Sequence, residues 1–241
     1  MNWWEIHHAD SIDSPALMVF PDRVQENIQL LKSMVADIEQ LRPHVKTNKS
    51  PEACTMMLAN GIKKFKCATI TEAEMLGSIG APDVLLAYQP TGPKANRLAE
   101  VVRNFPNTKF SCLTDDLDCA HHIGSVMQSA GVILDIFIDL NVGMNRTGIR
   151  PETAFDLFKN LLSINGLRPI GIHAYDGHLR DSDLLIRGTR CDDGFESVKK
   201  LAERIKIELG FSPVIVAGGS PTFPIHAKRK NVQCSPGTFI Y

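Results

Sequence analysis

Residues 41–50, LRPHVKTNKS, alternate apolar with basic side chains and then run into polar residues. The pattern predicts a β-strand over 41–47, in which Arg42, His44 and Lys46 share one face because side chains alternate along a strand. Basic groups on a buried strand face need partners or a chemical purpose. The end of this strand is therefore a place to look for ligand chemistry.

Seven further apolar runs follow along the chain, separated by amphipathic segments of helix length. With 41–47, the predicted strands are 65–70, 84–88, 109–113, 132–140, 167–174, 213–217 and 231–235. Alternating strands and helices are typical of a parallel sheet covered by helices. Eight such units predict an α/β fold of the closed (β/α)8 barrel type, with an open doubly wound sheet as the structural alternative.

The composition argues against several functional classes. The 241 residues carry 26 basic and 27 acidic side chains, which gives no positive field for nucleic acid. The apolar runs are too short to span a membrane, and the opening MNWWEIHHAD lacks the pattern of a signal peptide. The six cysteines include no C-x-x-C pair. We therefore expect a cytoplasmic protein with no nucleic-acid or membrane partner.

Polar and glycine-rich residues follow the predicted strands at one rim of the barrel. Lys46 ends the first strand, Arg146 follows the fifth, and residues 173–178 end the sixth. Residues 218–222 and 236–238 follow the last two strands, whose loops commonly bind phosphate in this fold. Small residues there let backbone N–H groups approach an anion closely. The alternative is that these glycines only form tight turns.

A lysine beside phosphate-binding loops has two possible purposes. A partly desolvated mouth would lower the pKa of the Lys46 amine and make it a nucleophile for a Schiff base, as with pyridoxal phosphate. Lys46 could instead serve only as a counter-ion for another phosphorylated small molecule. The residues by themselves leave both possibilities open.

Six motifs in the same order resemble those of the D-threonine aldolase and D-serine dehydratase family. These motifs are LRPHVKT, FKCATITEAEML, IDLNVGMNRTGI, GIHAYDGH, VAGGSPTFP and CSPGTFIY. The family consists of fold-type III pyridoxal-phosphate enzymes, and its barrel is similar to that of alanine racemases. The resemblance implies a barrel of the alanine racemase N-terminal type over residues 21–241. It also implies that residues 1–20 pair with a C-terminal β domain that this chain lacks.

The resemblance assigns roles to individual residues. Lys46 would form the Schiff base with pyridoxal 5′-phosphate, His44 would support it, and Arg146 would lie beside the cofactor ring; these are the expected catalytic residues. His173 and Tyr175 would line the ring. The residues expected to hold the phosphate are Gly219, Ser220, Thr222, Gly237 and Thr238.

The implied activity is that of a lyase acting on a small-molecule D-amino acid, by aldol cleavage of D-threonine-like substrates or β-elimination of D-serine. An amino-acid racemase and a non-catalytic pyridoxal-phosphate-binding barrel are the alternatives. The resemblance further implies a homodimer and a divalent metal in a longer form with the C-terminal domain, and no metal ligand in this chain. Asn48 stands where the family usually has His, and an amide cannot move protons as an imidazole does.

Three further groups of residues have simpler interpretations. His173, Asp176 and His178 match no zinc spacing, so a metal is not expected there. Residues 191–193 are predicted to form a solvated loop. Trp3 and Trp4 are interpreted as packing anchors of the opening segment rather than as a ligand platform.

Overall fold

A computed structural model describes residues 2–241. Its sheet contains seven parallel strands, each paired with the next along the chain. The strands are Lys64–Cys67 (β1), Asp83–Leu86 (β2), Lys109–Thr114 (β3), Leu134–Leu140 (β4), Leu167–Ala174 (β5), Val214–Ala217 (β6) and Val232–Cys234 (β7). They correspond to the predicted strands from 65–70 onward, with small shifts at the ends.

Helices alternate with the strands and cover the outside of the sheet. Within the described residues they are Pro21–Ser33 (α1), Pro51–Ala59 (α2), Ile70–Ser78 (α3), Pro93–Asn104 (α4), Leu117–Ser129 (α5), Pro151–Leu161 (α6), Leu184–Leu209 (α7) and Phe223–His226 (α8). Proline at the first position of α2, α4 and α6 suits a helix start, because the N–H that it lacks has no partner within the helix. None of these helices has the length and apolar character needed to cross a bilayer.

The segment formed by residues 41–44 closes the curled sheet into a barrel. Leu41 forms a parallel bridge with Cys234 of β7, and His44 forms one with Lys66 of β1. The segment therefore occupies the position of the first predicted strand. The predicted (β/α)8 barrel is confirmed, with isolated bridges in place of a full strand at this position.

The strand predicted over 41–47 ends earlier than its alternation indicated. Val45–Thr47 form a 3₁₀ turn, and Nδ1 of His44 accepts a hydrogen bond of 3.3 Å from the backbone N–H of Lys46. Because the chain turns here, the side chain of His44 is buried whereas that of Lys46 is exposed. Strand alternation therefore ends at His44, and the 3₁₀ turn rather than the strand sets the direction of Lys46.

Arg42 has a structural purpose at the opposite end of the barrel. Its side chain is only 2% exposed and forms two hydrogen bonds, of 2.7 and 3.0 Å, with the carboxylate of Asp83. Its Nε donates to the side chain of Gln233 at 2.7 Å. A buried charge requires such partners, so Arg42 joins the starts of β2 and β7.

The barrel interior combines one small apolar layer with polar side chains at the rims. The apolar layer consists of Leu85, Leu113, Phe137 and Val216. Along β4, Ile136 and Ile138 face the helices, whereas Phe137 and Asp139 face the interior. Each large apolar side chain buried in this way contributes roughly 1.5–3 kcal/mol. The same alternation brings the carboxylate of Asp139 to the carboxyl end of the barrel.

Helix α7 is much longer than the sequence indicated. It contains 26 residues and begins after Asp183, whose side chain accepts hydrogen bonds from the backbone N–H groups of Leu185 and Ile186. The expectation of a solvated loop at 191–193 is wrong, because these residues lie inside this helix and Cys191 is buried. The N-cap at Asp183 stabilises a helix that continues through Gly188, despite the cost of a glycine.

The opening segment lies on the outside of the barrel. Trp3 packs edge-on against Phe20, and the guanidinium of Arg23 lies 4.8 Å from the centroid of the Trp3 ring. Leu17 and its neighbours remain exposed, with Leu17 itself 79% exposed. Pairing of residues 1–20 with a C-terminal domain stays a prediction, and Met1 falls outside the described residues.

Candidate active site

Basic side chains converge on the ring of Tyr175 at the carboxyl ends of the strands. Nζ of Lys46 lies 5.9 Å, Nζ of Lys66 5.7 Å, and Cζ of Arg146 5.0 Å from the ring centroid. These side chains come from three separate parts of the chain, and Tyr175 itself directly follows β5. Such a concentration of basic groups attracts anions.

A buried hydrogen-bonded chain lies beside Tyr175. Nδ1 of His173 is 2.7 Å from Oδ1 of Asp139, and Nε2 of the same ring is 3.3 Å from Nζ of Lys66. The hydroxyl of Thr147 donates to Oδ2 of Asp139 at 2.8 Å. Burial raises the pKa of Asp139, but the hydrogen bonds from His173 and Thr147 outweigh burial and hold the pKa below its usual value. Asp139 is therefore a carboxylate that orients the imidazole.

The electrostatics of the site keep its imidazoles neutral. Burial, together with the charges of Lys66 and Lys46, lowers the pKa of His44 to about 2. The pKa of His173 is also lowered, first by burial and then by Lys66. Burial and the nearby charge of Lys46 lower the pKa of Lys66 to about 7. Desolvation is the largest cause in each case, as expected for basic groups in a barrel interior.

The loops after β6 and β7 meet at one oxygen atom. Oγ of Ser220 accepts hydrogen bonds from the backbone N–H of Gly237 at 3.0 Å and from that of Thr238 at 3.1 Å. Two backbone N–H groups aimed at a single oxygen form the kind of arrangement that binds a phosphate group. The structure thus brings together three of the residues predicted to hold phosphate.

Glycine is required at two positions of these loops. A Cβ atom on Gly237 would lie 3.0 Å from the carbonyl oxygen of His44, and one on Gly219 would lie 2.9 Å from the Tyr175 ring. The hydroxyl of Thr47 donates to the carbonyl of Gly237 at 2.6 Å. The loop after β7 therefore packs directly against the segment that carries Lys46.

Thr222 lies beneath the loop after β6 rather than on its open side. It is 0% exposed, and its hydroxyl donates to Oδ1 of Asp176 at 2.7 Å. The same hydroxyl accepts a hydrogen bond of 3.3 Å from the backbone N–H of Gly219. Thr222 therefore holds the shape of the loop, whereas the sequence had indicated direct contact with phosphate.

Asp176 is the centre of a second buried network. Its Oδ2 is 2.8 Å from Nε2 of His226 and 3.5 Å from Sγ of Cys191. Burial raises the pKa of Asp176, but hydrogen bonds from His226 and Thr222 outweigh burial and lower it. Burial, with the charge of Asp176, raises the pKa of the Cys191 thiol to about 12. The thiol therefore stays protonated at neutral pH.

The atoms of Asp176, Cys191 and His226 lie close enough together to suggest a metal site, all within 4.8 Å of one another. Arg229 argues against it, because its Nε donates to Nδ1 of His226 at 3.2 Å. Because Nδ1 of His226 accepts this bond, Nε2 carries the ring proton and donates it to Asp176, so both ring nitrogens are engaged by protein groups. His173 joins Asp139 rather than Asp176, so the three residues with metal-like spacing form no common site.

The family model described as "Alanine racemase, N-terminal domain" matches residues 19–241. The chain belongs to this family. Among curated relatives it is similar to a D-threonine aldolase of Arthrobacter sp, with 25% identity over 173 residues that make up 70% of this chain and 45% of the relative. It is also similar to the D-threo-3-hydroxyaspartate dehydratase of Delftia sp. (strain HT23), with 26% identity over 197 residues, 80% of this chain and 49% of the relative.

The fold of this alanine racemase N-terminal domain is also found among solved structures. The crystal structure of D-threonine aldolase from Filomicrobium marinum matches with a TM-score of 0.86 and 24% identity, over 95% of this chain and 62% of that one. These matches confirm the family resemblance derived from the six motifs and the barrel fold. The chain spans about half the length of the curated relatives it matches.

The mouth of the alanine racemase-type barrel opens beside the basic side chains of Lys46, Lys66 and Arg146. A cavity of about 370 Å³ there is lined by Tyr88, Asp115, Asp139 and Arg146, among others. A larger cavity of about 670 Å³ lies at the opposite rim, where Lys64, Val214 and Gln233 mark the starts of strands. In barrels of this kind chemistry collects at the carboxyl rim, so the side chains rather than cavity size identify the site.

Sequence reasoning did not assign Lys66, Asp139 or His226 to this site, and it considered Asp176 only as a possible metal ligand. Lys66 and Asp139 lie on strands, whereas Asp176 and His226 lie in the loops and helix next to them. A usable signal existed for Lys66 and Asp139, since each interrupts an apolar strand at a position that faces the interior. No comparable signal marked His226, because its partners Asp176 and Cys191 are 50 and 35 residues away in the chain.

Proposed function

We propose that this barrel binds pyridoxal 5′-phosphate at its carboxyl rim and belongs to a lyase that acts on a D-amino acid. The observation that carries the proposal is the convergence of the backbone N–H groups of Gly237 and Thr238 on one oxygen, beside the segment that bears Lys46. Phosphate and aldehyde are the two ends by which such a cofactor is held. The site offers a group for each end.

The residues of the mouth fit this cofactor in chemical type. Lys46 is the exposed amine available to hold an aldehyde, and Ser220, Gly237 and Thr238 supply the donors for a phosphate. The Tyr175 ring lies near both Lys46 and Gly219, and the guanidinium of Arg146 lies 5.0 Å from its centroid. We assign Lys46, His44 and Arg146 to the catalytic group, and His173 to orienting the site through its bond to Asp139.

The cofactor would supply the chemistry of bond cleavage, because its pyridine ring acts as an electron sink for a bond at Cα. The protein's own residues have other tasks. Lys46 would accept a proton and transfer it. The neutral imidazole of His44 would accept a hydrogen bond from the backbone N–H of Lys46 and so stabilise the turn. The buried carboxylate of Asp139 fixes the orientation of His173.

The substrate class follows from the relatives named above. Both names specify 3-hydroxy amino acids of the D series, so aldol cleavage or β-elimination of such a compound is the favoured reaction. Asn48 is engaged locally, because its Oδ1 accepts a hydrogen bond of 3.2 Å from the backbone N–H of Ser50. The Asn48 amide therefore stabilises the turn before α2, and it cannot transfer protons. A cytoplasmic location, a homodimer and metal dependence in a longer form belong to the same proposal.

A spectrum and a product analysis test the proposal. Mixed with pyridoxal phosphate, the protein should show a yellow absorbance band. Borohydride should remove this band and leave the cofactor attached to Lys46. D-threonine, D-serine and 3-hydroxy-D-aspartate should then be supplied with and without divalent metal, and the products identified. Glycine or a 2-oxo acid would support a lyase, and an L-isomer would identify a racemase. A band without turnover would indicate a non-catalytic cofactor-binding barrel, and no band would overturn the proposal.

A further inference from the structure

Lys66 is a second amine at the barrel mouth for which the proposed function has no use. It lies in β1, is 2% exposed, and its Nζ is 5.7 Å from the centroid of the Tyr175 ring. A buried lysine is costly unless it has a partner or stays neutral. Its hydrogen-bond partner is Nε2 of His173, at 3.3 Å.

The directions of the hydrogen bonds follow from the carboxylate. Asp139 can only accept, so Nδ1 of His173 carries the proton that lies on the 2.7 Å contact. The neutral ring then has a free lone pair on Nε2, and Lys66 donates to it. The order is therefore Lys66 to His173 to Asp139. An added proton can sit on Lys66 or on His173, and it moves between them along a contact that already exists.

Charges of both signs surround Lys66. Positive groups near it are Lys46, Arg42 and, at the same Tyr175 ring, Arg146; negative groups are Asp139 and Asp176, and the imidazoles are His44 and His173. Burial, followed by Lys46, lowers the pKa of Lys66 to about 7. About half of the amine is then neutral at neutral pH. Any new charge in the mouth shifts this balance.

We propose that Lys66 takes up a proton when an anion binds at the barrel mouth and shares it with His173, so that the mouth holds a second acid–base group besides Lys46. This inference rests on the proposed function, because it uses the same anion site. An entering phosphate or carboxylate favours the charged form of the amine. The proton comes from solvent and is available for later transfer within the mouth.

The sign of the pH effect follows from linkage. An anion that prefers protonated Lys66 raises the pKa of this amine above its value of about 7 in the free protein. Anion affinity is then constant below that value and falls as pH rises above it, by at most about tenfold per pH unit, until the pKa of the complex is reached. His44 cannot produce this effect, since its pKa is held at about 2.

Sulfate is a suitable probe, because it is a dianion that does not itself titrate near neutral pH. Calorimetry of sulfate binding at pH 7 in two buffers of different ionisation enthalpy measures protons taken up per anion. We expect an uptake approaching about half a proton for the unaltered protein, from its pKa of about 7. Lys66→Met should bind sulfate without uptake, since methionine fills similar space without an ionisable group. Lys63→Met, at an exposed position just before β1, should retain the uptake.

Two outcomes would overturn the inference: sulfate binding without proton uptake by the unaltered protein, or equal uptake by Lys66→Met. If Lys66→Met fails to fold, the pH dependence of sulfate affinity in the unaltered protein decides, because a flat profile between pH 6 and about 9 contradicts the expected loss. Borohydride trapping at Lys46 separates the two proposals. Trapping without proton uptake removes only the role of Lys66, whereas proton uptake without trapping removes only the proposed function.

Discussion

The hydroxyl of Thr222 donates a hydrogen bond of 2.7 Å to Asp176 in a fully buried layer beneath the loop after β6. The other oxygen of Asp176 accepts from His226, at the end of α8. Since the Thr222 hydroxyl also accepts from the backbone N–H of Gly219, it joins both ends of the turn that presents Ser220, and Asp176 holds this hydroxyl in place. The loop proposed to bind an anion therefore depends on Thr222, which lies beneath it.

Replacing Thr222 by valine should weaken both the fold and the anion site. The change removes the hydrogen bond to Asp176 and leaves its oxygen without that donor, which costs about 1–3 kcal/mol. Urea denaturation followed by circular dichroism measures the loss, and sulfate binding should weaken in parallel. Thr55→Val, on the exposed face of α2, is the matched control and should stay within about 0.5 kcal/mol of the unaltered protein. Equal stability of the two variants would contradict the role assigned to Thr222.

Lys46→Ala should abolish the borohydride-reducible band with pyridoxal phosphate. Lys46 is the exposed amine next to the Tyr175 ring, at 5.9 Å from its centroid, whereas Lys66 is buried. Lys49→Ala should leave the band unchanged, because Lys49 lies past the turn with a positive φ of 47°. Peptide mapping after reduction identifies the labelled residue. A Lys46→Ala protein that still carries trapped cofactor would remove the assignment.

Gly237→Ala should reduce affinity for pyridoxal phosphate and for sulfate by about tenfold or more, since one lost charge-assisted hydrogen bond is worth about 1.5–3 kcal/mol. The added Cβ would lie 3.0 Å from the backbone carbonyl of His44, so the loop must move and its N–H groups with it. Gly188→Ala is the matched control, because nothing lies within 4 Å of an added Cβ inside α7. That change should leave binding intact and stabilise the helix by roughly 0.5–1 kcal/mol.

The sequence was sufficient to predict the barrel and the residues at its rim, for a physical reason. Strands buried on both faces read as apolar runs, and the polar side chains that end them must gather where parallel strands end. Residues 167–174 were predicted with the observed bounds, because the turn residues Asn165 and Gly166 precede the run and Asp176 and Gly177 follow it closely. Residues 41–47 were not, since the His44 side chain caps a 3₁₀ turn that alternation cannot reveal.

The interior of the site was less predictable than its rim. Lys66 depends on His173, and His173 on Asp139, across three different strands. Pairings of this kind are set by the shear of the closed barrel rather than by spacing along the chain. The same holds for Thr222, whose side chain points beneath its loop because Asp176 lies there. Sequence patterns identified the loop but not which of its residues face outward.

The acid side of the stability profile should depend on His44. Burial, Lys66 and Lys46 lower its pKa to about 2, whereas an unfolded chain has the usual value near 6.5. Below that usual value the unfolded state binds a proton that the folded state refuses, so the free energy of unfolding falls as pH decreases. One such group contributes a slope of about 1.4 kcal/mol per pH unit.

The variant His44→Asn should remove this share of the slope. Its side chain should still accept a hydrogen bond from the backbone N–H of Lys46, because asparagine is a good N-cap. Urea denaturation at pH 7, 6 and 5 measures the slopes, with His121→Asn on the exposed face of α5 as the control that keeps the full pH dependence. A His44→Asn protein with the slope of the unaltered protein would show that another group resists protonation in the folded barrel.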